Sequence, residues 1–223
     1  MATDNKAGVI KILLVEDHPV FRLGLRELIE QEPDLLVCGE AKNVGEGWEQ
    51  VSREQPDLVI VDISLDGRNG LELVKQLKKQ IPQLPALVLS MYEESLYAER
   101  ALQAGARGYI MKHETADLII DVIRKVCAGE VYLSAKMTSE ILAKMAGGTH
   151  SQSPHQCLTS RELEVFEMIG HGLTTKEIST KLCLSTKTIG TYRERIKEKL
   201  NLRNTSALSH RAVQWVEQQE HRE

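Results

Sequence analysis

Five residues far apart in the chain carry side chains that could share one piece of chemistry. The aliphatic run LVIV ends on Asp62, ILLV runs into Glu16-Asp17, ALVL ends on Ser90, and RGYI is followed after Met111 by Lys112. An apolar strand has no use for a carboxylate at its edge, because an ionised group beside low-dielectric surroundings must be paired, hydrated or bound to a metal. If the runs are neighbouring parallel strands, three carboxylates, a hydroxyl and an ammonium meet at their carboxyl ends, where open α/β sheets bind ligands. Carboxylates crowded together resist ionisation unless a cation joins them, and oxygen ligands suit magnesium. A metal held by Asp17 and Asp62 is the expectation.

The elements that must position these residues are legible in the pattern. Short Val/Leu/Ile-rich runs, VIKILLV, LLVCGEA, LVIV, ALVLS and RGYI, alternate with helical patterns starting near Pro19, Val44, Gly70, Ser95 and Thr115. In the third helix Leu71, Val74, Leu77 and Ile81 recur at three and four, leaving one apolar face. Strands without polar alternation imply a sheet covered on both sides. Residues 8–128 are therefore expected to form an α/β domain with a doubly wound, five-stranded parallel sheet of flavodoxin-like type.

The grammar changes after residue 128. SAKMTSEILAKMAGG predicts one more helix, stopped by Gly147 and Gly148, and THSQSPHQ has no apolar period. Residues 129–157 are expected to be a linker with one helix. His150, His155 and Cys157 lie close together there but lack a fourth metal ligand. Residues 158–220 are expected to form an all-α domain of four helices. Thr159-Ser160-Arg161-Glu162 and Thr174-Thr175-Lys176-Glu177 have the S/T-x-x-E form of a capping box. A short helix from Thr175, a Cys183-Leu184-Ser185 turn and a longer helix from Thr186 to about Leu200 make a helix-turn-helix. A last helix, capped near Asn204 or Thr205, carries Ala207, Leu208, Ala212, Trp215 and Val216.

Composition excludes several classes. The 223 residues carry a formal charge of −4, and the acidic excess is N-terminal: residues 1–128 hold 15 Lys+Arg against 21 Asp+Glu, residues 158–223 hold 11 against 9. A basic stripe runs over 185–203 (Lys187, Arg193, Arg195, Lys197, Lys199, Arg203), the kind that meets phosphates. The opening MATDNKAG lacks an apolar targeting core and no apolar run is long enough to span a bilayer, so a soluble cytoplasmic protein is expected, with no membrane partner. Four scattered cysteines, Cys38, Cys127, Cys157 and Cys183, suggest neither a disulfide framework nor zinc, and buried thiols are expected. The chain has no G-x-G-x-x-G after the first strand, no P-loop and no G-x-S-x-G elbow, which argues against a nucleotide-binding enzyme or hydrolase.

With these residues set out, the chain resembles the two-component response regulators of the NarL/FixJ class, a receiver domain joined to a LuxR-type helix-turn-helix. The marks are Glu16-Asp17, Asp62, Ser90, Tyr109, Lys112 and the run LTSRELEVFEMIGHGLTTKEISTKLCLSTKTIGTYRERIKEKL. The resemblance implies a DNA-binding transcription regulator rather than an enzyme, whose Asp62 takes a phosphoryl group from a sensor histidine kinase. It implies Mg2+ bound by Glu16, Asp17, Asp62 and the backbone carbonyl of Ser64, with Lys112 and Ser90 assisting. Ser90 and Tyr109 would form the switch, Ser90 moving and Tyr109 turning inward. Double-stranded DNA would be read by a homodimer through Lys187, Thr188, Thr191, Arg193 and Arg195, with the last helix, around Ala207 to Trp215, joining two copies. The alternative is a receiver that dimerises or binds a partner on DNA irrespective of phosphate. Three features depart from the pattern: Asp66 stands where a proline is common, His113 follows Lys112 in place of a proline with a cis peptide, and Gly190 and Tyr192 replace a lysine and a histidine on the expected reading face. His18 and His113 are assigned no role, and Arg161 and Glu162 are expected to tie helices together.

Overall fold

The computed structural model describes residues 8–65, 68–145 and 157–220. Residues 1–148 and 149–223 form separate compact units. Asp66, Gly147, Gly148, His150, His155 and the THSQSPHQ segment lie outside the described residues.

In the first unit, strands β1 (Ile10–Val15), β2 (Leu35–Ala41), β3 (Leu58–Val61), β6 (Ala86–Ser90) and β7 (Gly108–Met111) make one parallel sheet in the order β2-β1-β3-β6-β7. Successive side chains on a strand point to opposite faces. Ile12, Leu14, Leu58, Ile60, Leu87 and Leu89 face a core shared with α1 (Pro19–Glu30) and α5 (Ala116–Cys127). Leu13, Val15, Val59, Val61 and Val88, equally buried, fall on the other face. That side is covered by α2 (Val44–Glu54), α3 (Leu71–Gln80) and α4 (Glu94–Ala104). Burial on both faces is why these strands carry no polar alternation.

The strand order places the topological switch point between β1 and β3, and the polar residues of interest follow those two strands. Between β3 and α3 the chain makes a small hairpin, β4 (Ser64–Leu65) with β5 (Arg68–Asn69), not expected from the sequence because two residues carry no periodicity. It closes on Gly70, whose N–H donates to the Ile63 carbonyl at 2.7 Å. A Cβ on Gly70 would stand 1.8 Å from the carbonyl oxygen of Asp62.

The segment after α5 does more than link. Tyr132 makes a parallel bridge with Gly108, accepting from the Tyr109 amide (3.2 Å) and donating to the Arg107 carbonyl (2.9 Å). Helix α6 (Ala135–Met145) follows, with Met137 buried and the Ser134 amide donating to Glu94 of α4 at 2.8 Å. The edge strand β7 is thereby covered, which removes an exposed sheet edge.

The second unit holds α7 (Ser160–Gly170), α8 (Thr175–Lys181), α9 (Thr186–Lys199) and α10 (Thr205–Glu220). Both capping boxes form, Thr159 with Glu162 and Thr174 with Glu177, and the Ser185 hydroxyl accepts from the Thr188 amide to start α9. The tight turn between α8 and α9 places Cys183 at a φ of 50°. Phe166 and Trp215 pack with ring centroids 5.6 Å apart, and Ile178, Leu182, Ile189, Ile196, Leu208 and Ala212 complete the core. As expected, Arg161 and Glu162 join helices: Arg161 donates to the Leu182 carbonyl and Lys199 pairs with Glu162 at 2.6 Å.

One expectation is corrected. Cys38 and Cys127 are half-buried, Cys127 against the core, while Cys157 and Cys183 are exposed, so not all four thiols are buried. The described residues contain no cis peptide, so the Lys112–His113 bond is trans, which a non-proline bond favours by about 2.5–4 kcal/mol. No helix of the described residues is long and apolar enough to cross a membrane.

Because Gly70 sits directly beneath the Asp62 carbonyl, Gly70→Ala must shift the backbone that carries the acid. Urea unfolding should show a loss of about 2 kcal/mol or more, in the range of severe overpacking.

Candidate functional site

The sheet sets the backbone of each site residue. The Asp62 N–H donates to the Val15 carbonyl (2.9 Å), the Glu16 N–H to Ala41 (2.9 Å) and the Lys112 N–H to Ser90 (2.8 Å), so the strand ladders run into the residues that leave them. Four of the expected side chains then meet. Lys112 Nζ lies 2.6 Å from Glu16 Oε2 and 2.9 Å from Asp62 Oδ2, with only 4% of its side chain exposed. Glu16, Asp17, His18 and Asp62 each bring one candidate ligand atom within 4.8 Å of the others.

Positive charge is in short supply here. Three carboxylates surround one ammonium, and Asp62 Oδ1 and Asp17 Oδ1 are buried without a hydrogen-bond partner among the described residues. His18 does not repair this. Its Nδ1 stands 3.0 Å from Glu16 Oε1 and 2.8 Å from Asp17 Oδ1, and one ring nitrogen serves one hydrogen bond at a time. Burial pushes the Asp62 carboxyl up to about 7, with Glu16 adding to the rise and Lys112 opposing it. Burial likewise raises Asp17, against the pull of His18. An unpaired oxygen, raised acids and three carboxylates in the donor set fit a divalent cation of the magnesium type.

Neighbours missed by the sequence reading brace the site. Arg22 donates to the backbone carbonyl of Glu16 at 2.6 Å and is itself held by Glu40 at 2.8 Å. The Phe21 ring lies under Lys112, 4.5 Å from Nζ to its centroid. Both sit in the first turn of α1, where nothing in the pattern marked them as more than helix residues. Ser64 falls in β4, two residues after Asp62.

The two residues expected to form the switch lie at the end of β6 and in β7. Tyr109 does not wait to turn inward: it is fully buried, its hydroxyl donating to the Tyr92 carbonyl at 2.6 Å. The Ser90 hydroxyl accepts from the Tyr92 amide at 3.2 Å. One residue, Tyr92, therefore connects Ser90 and Tyr109, and its ring stacks on Tyr97 of α4.

On α9 the buried residues Ile189 and Ile196 define the inner face. At about 100° per residue, Lys187, Thr188, Thr191 and Arg195 share the opposite arc. Lys187, Thr191 and Arg195 are exposed and Thr188 half-exposed. Arg193 is not with them; it lies toward the inner side and is half-buried, and burial lowers its pKa. Gly190 and Tyr192 are likewise half-buried, on opposite flanks rather than on the exposed face.

Comparison with known proteins agrees with this geometry. Residues 12–124 match the response regulator receiver domain, and residues 156–212 match the bacterial regulatory proteins of the luxR family. The chain belongs to the LuxR-type response regulators. The transcriptional activator protein ExaE of Pseudomonas putida is 35% identical over 204 residues, covering 91% of this chain and 95% of that protein. The DNA-binding transcriptional activator DevR/DosR of Mycobacterium tuberculosis is 34% identical over 200 residues, covering 89% and 92%. A LuxR-family response regulator from Aurantimonas, solved by crystallography, shares 31% identity with a TM-score of 0.58, covering 62% of this chain and all but 1% of that one at 99%. This response regulator is a transcriptional regulator with a receiver and a LuxR-type DNA-binding domain. Receiver domains generally bind Mg2+ in an acidic pocket, and this chain carries a cluster of acidic residues at Glu16, Asp17 and Asp62.

The raised acid has a sign that can be checked. In the metal-free fold the contribution of Asp62 to stability is fully present below its ordinary carboxylate value and is lost as pH rises through about 7, because the buried group then ionises. A bound cation favours that ionised form. Calorimetric titration should therefore show Mg2+ affinity falling by about tenfold per pH unit below 7 as a proton competes, and Asp62→Asn should weaken binding and remove that slope.

Proposed function

We propose that Asp62 accepts a phosphoryl group from a sensor histidine kinase and that the resulting acyl phosphate gates dimerisation and promoter binding in the cytoplasm. The observation that carries the reading is a buried carboxylate with one oxygen on Lys112 and the other without a partner among the described residues. In-line transfer of a phosphoryl group needs positioning and charge neutralisation more than covalent assistance. Glu16, Asp17, Asp62 and the Ser64 carbonyl would hold Mg2+, which supplies positive charge to the phosphoryl oxygens. Lys112, already beside Asp62, follows those oxygens as they arrive. The chain assists this transfer to itself and turns over no substrate.

The route outward follows from the two hydrogen bonds at Tyr92. A phosphoryl group on Asp62 offers the Ser90 hydroxyl a stronger acceptor, and Ser90 then gives up the Tyr92 amide. Tyr92 also holds the Tyr109 hydroxyl and stacks on α4, so the surface of α4 responds. Phosphorylation favours one of two populations already accessible to the fold.

In the second unit α9 is the recognition helix, entering the major groove of double-stranded DNA with Lys187, Thr188, Thr191 and Arg195. Arg193, turned inward, supports the helix or reaches phosphate from its flank. One such unit makes few phosphate contacts, and a homodimer on paired half-sites doubles them. Within α10, Leu208, Ala212 and Trp215 are spent on the core, so the face for a second copy is the opposite one, Ser206, His210, Val213 and Glu217. DevR/DosR, described as a DNA-binding transcriptional activator, supports DNA as the partner.

Incubation with Mg2+ and a small acyl phosphate should add one phosphoryl group to the protein and none to Asp62→Asn, as read by intact mass. Phosphorylation should tighten promoter binding about tenfold or more. A mass gain with unchanged DNA affinity would favour the receiver as a phosphate-indifferent dimerisation module. Lys187→Ala and Arg195→Ala should each reduce the slope of log affinity against log salt by about 1 where the side chain meets phosphate, while Thr188 and Thr191 substitutions should leave the slope unchanged.

A further inference from the structure

We infer that Phe21 is a positioning residue for phosphoryl transfer, holding the Lys112 ammonium in the pocket through the face of its ring. The inference rests on the reading that Asp62 accepts the phosphoryl group. Lys112 is all but sealed from solvent, and its Nζ has carboxylates at 2.6 Å (Glu16) and 2.9 Å (Asp62). An ammonium has three donors and no acceptor capacity. The two acids take two of its directions, and the Phe21 ring, 4.5 Å away, closes another side.

This third contact suits the chemistry in a way that a further acceptor would not. In the transfer, the bond from phosphorus to the donor's leaving atom breaks with its electron pair going to the donor, as a bond from an Asp62 carboxylate oxygen to phosphorus forms. Lys112 keeps its protons throughout but must exchange a carboxylate for a phosphoryl oxygen. A third acid in direct contact with Nζ would hold the ammonium back, and open solvent would hydrate it. A ring face attracts the cation electrostatically with weak directional demand, so the ammonium slides without losing support. The ring also keeps water out, so the positive charge acts at low effective dielectric on the arriving oxygens.

The plainer role for Phe21 is packing, since it lies partly buried against the core beneath α1 and α5. Phe21→Leu keeps an apolar side chain there and removes the ring face; Phe21→Tyr keeps the ring. In the full-length chain the Lys112 side-chain NMR resonances should show a ring-current displacement that persists in Phe21→Tyr and vanishes in Phe21→Leu. With saturating Mg2+ and a small acyl phosphate, Phe21→Leu should phosphorylate about tenfold more slowly, with Mg2+ affinity unchanged, while Phe21→Tyr stays within about twofold of the parent. If Phe21→Leu fails to fold, Phe21→Met carries the same expectation. A parent-like rate in Phe21→Leu, or a loss as large in Phe21→Tyr, overturns the proposal. Should the parent itself take up no phosphoryl group, the reading of Asp62 fails, and the Lys112 resonances still decide whether the ring holds the ammonium; identical signals in parent and Phe21→Leu show that it does not.

Discussion

The first unit is organised around an unbalanced charge. One buried ammonium faces three carboxylates at the end of the sheet, and close like charges of this kind are tolerated only where a proton or a cation relieves them. Burial is the main cause of the raised titration of Asp62, Glu16 adding to it and Lys112 opposing it, and Asp62 Oδ1 is left without a partner among the described residues. A fully compensated pocket would be a structural ion pair with no reason to bind anything. This one holds its acids in place through backbone ladders and leaves their charge to be met from outside.

The topology makes such a site affordable. Because β1 and β3 are neighbours whose crossover helices leave in opposite directions, their carboxyl ends are uncovered, and polar side chains there do not have to be packed under a helix. The apolar strands behind them are buried on both faces, which gives the acids a rigid floor. Gly70 adds the local constraint, since only the lack of a Cβ lets the β5–α3 turn approach the Asp62 carbonyl. Tyr92 provides the connection outward, with its amide on one switch residue and its carbonyl on the other.

Much of this was legible in the sequence, and for a physical reason. Strands covered on both sides are written as unbroken aliphatic runs, so their ends, and the acids on those ends, stand out. Capping boxes are written as S/T-x-x-E, and both expected ones formed. What could not be read were side-chain directions that depend on tertiary contacts. The inward pose of Tyr109 follows from a carbonyl 17 residues away, and the pairing of Tyr132 with β7 involves a single bridge, too short to leave a pattern. The same holds for α9, where a stripe of cations reads as one surface although Arg193 turns toward the inner side. On α10 the apolar residues Leu208, Ala212 and Trp215 serve the core of their own unit, which leaves the opposite side of the helix exposed. Phe21 and Arg22 were invisible as site residues because a helix's first turn gives no sign of what lies beneath it.

The central claim, that the pocket lacks positive charge which a divalent cation supplies, is tested most directly by following the Asp62 carboxyl carbon by NMR across a pH titration, with and without Mg2+. The midpoint should lie near 7 in the absence of cation and move to well below it when Mg2+ is present. A midpoint in the ordinary carboxylate range near 4 that Mg2+ does not move would contradict it.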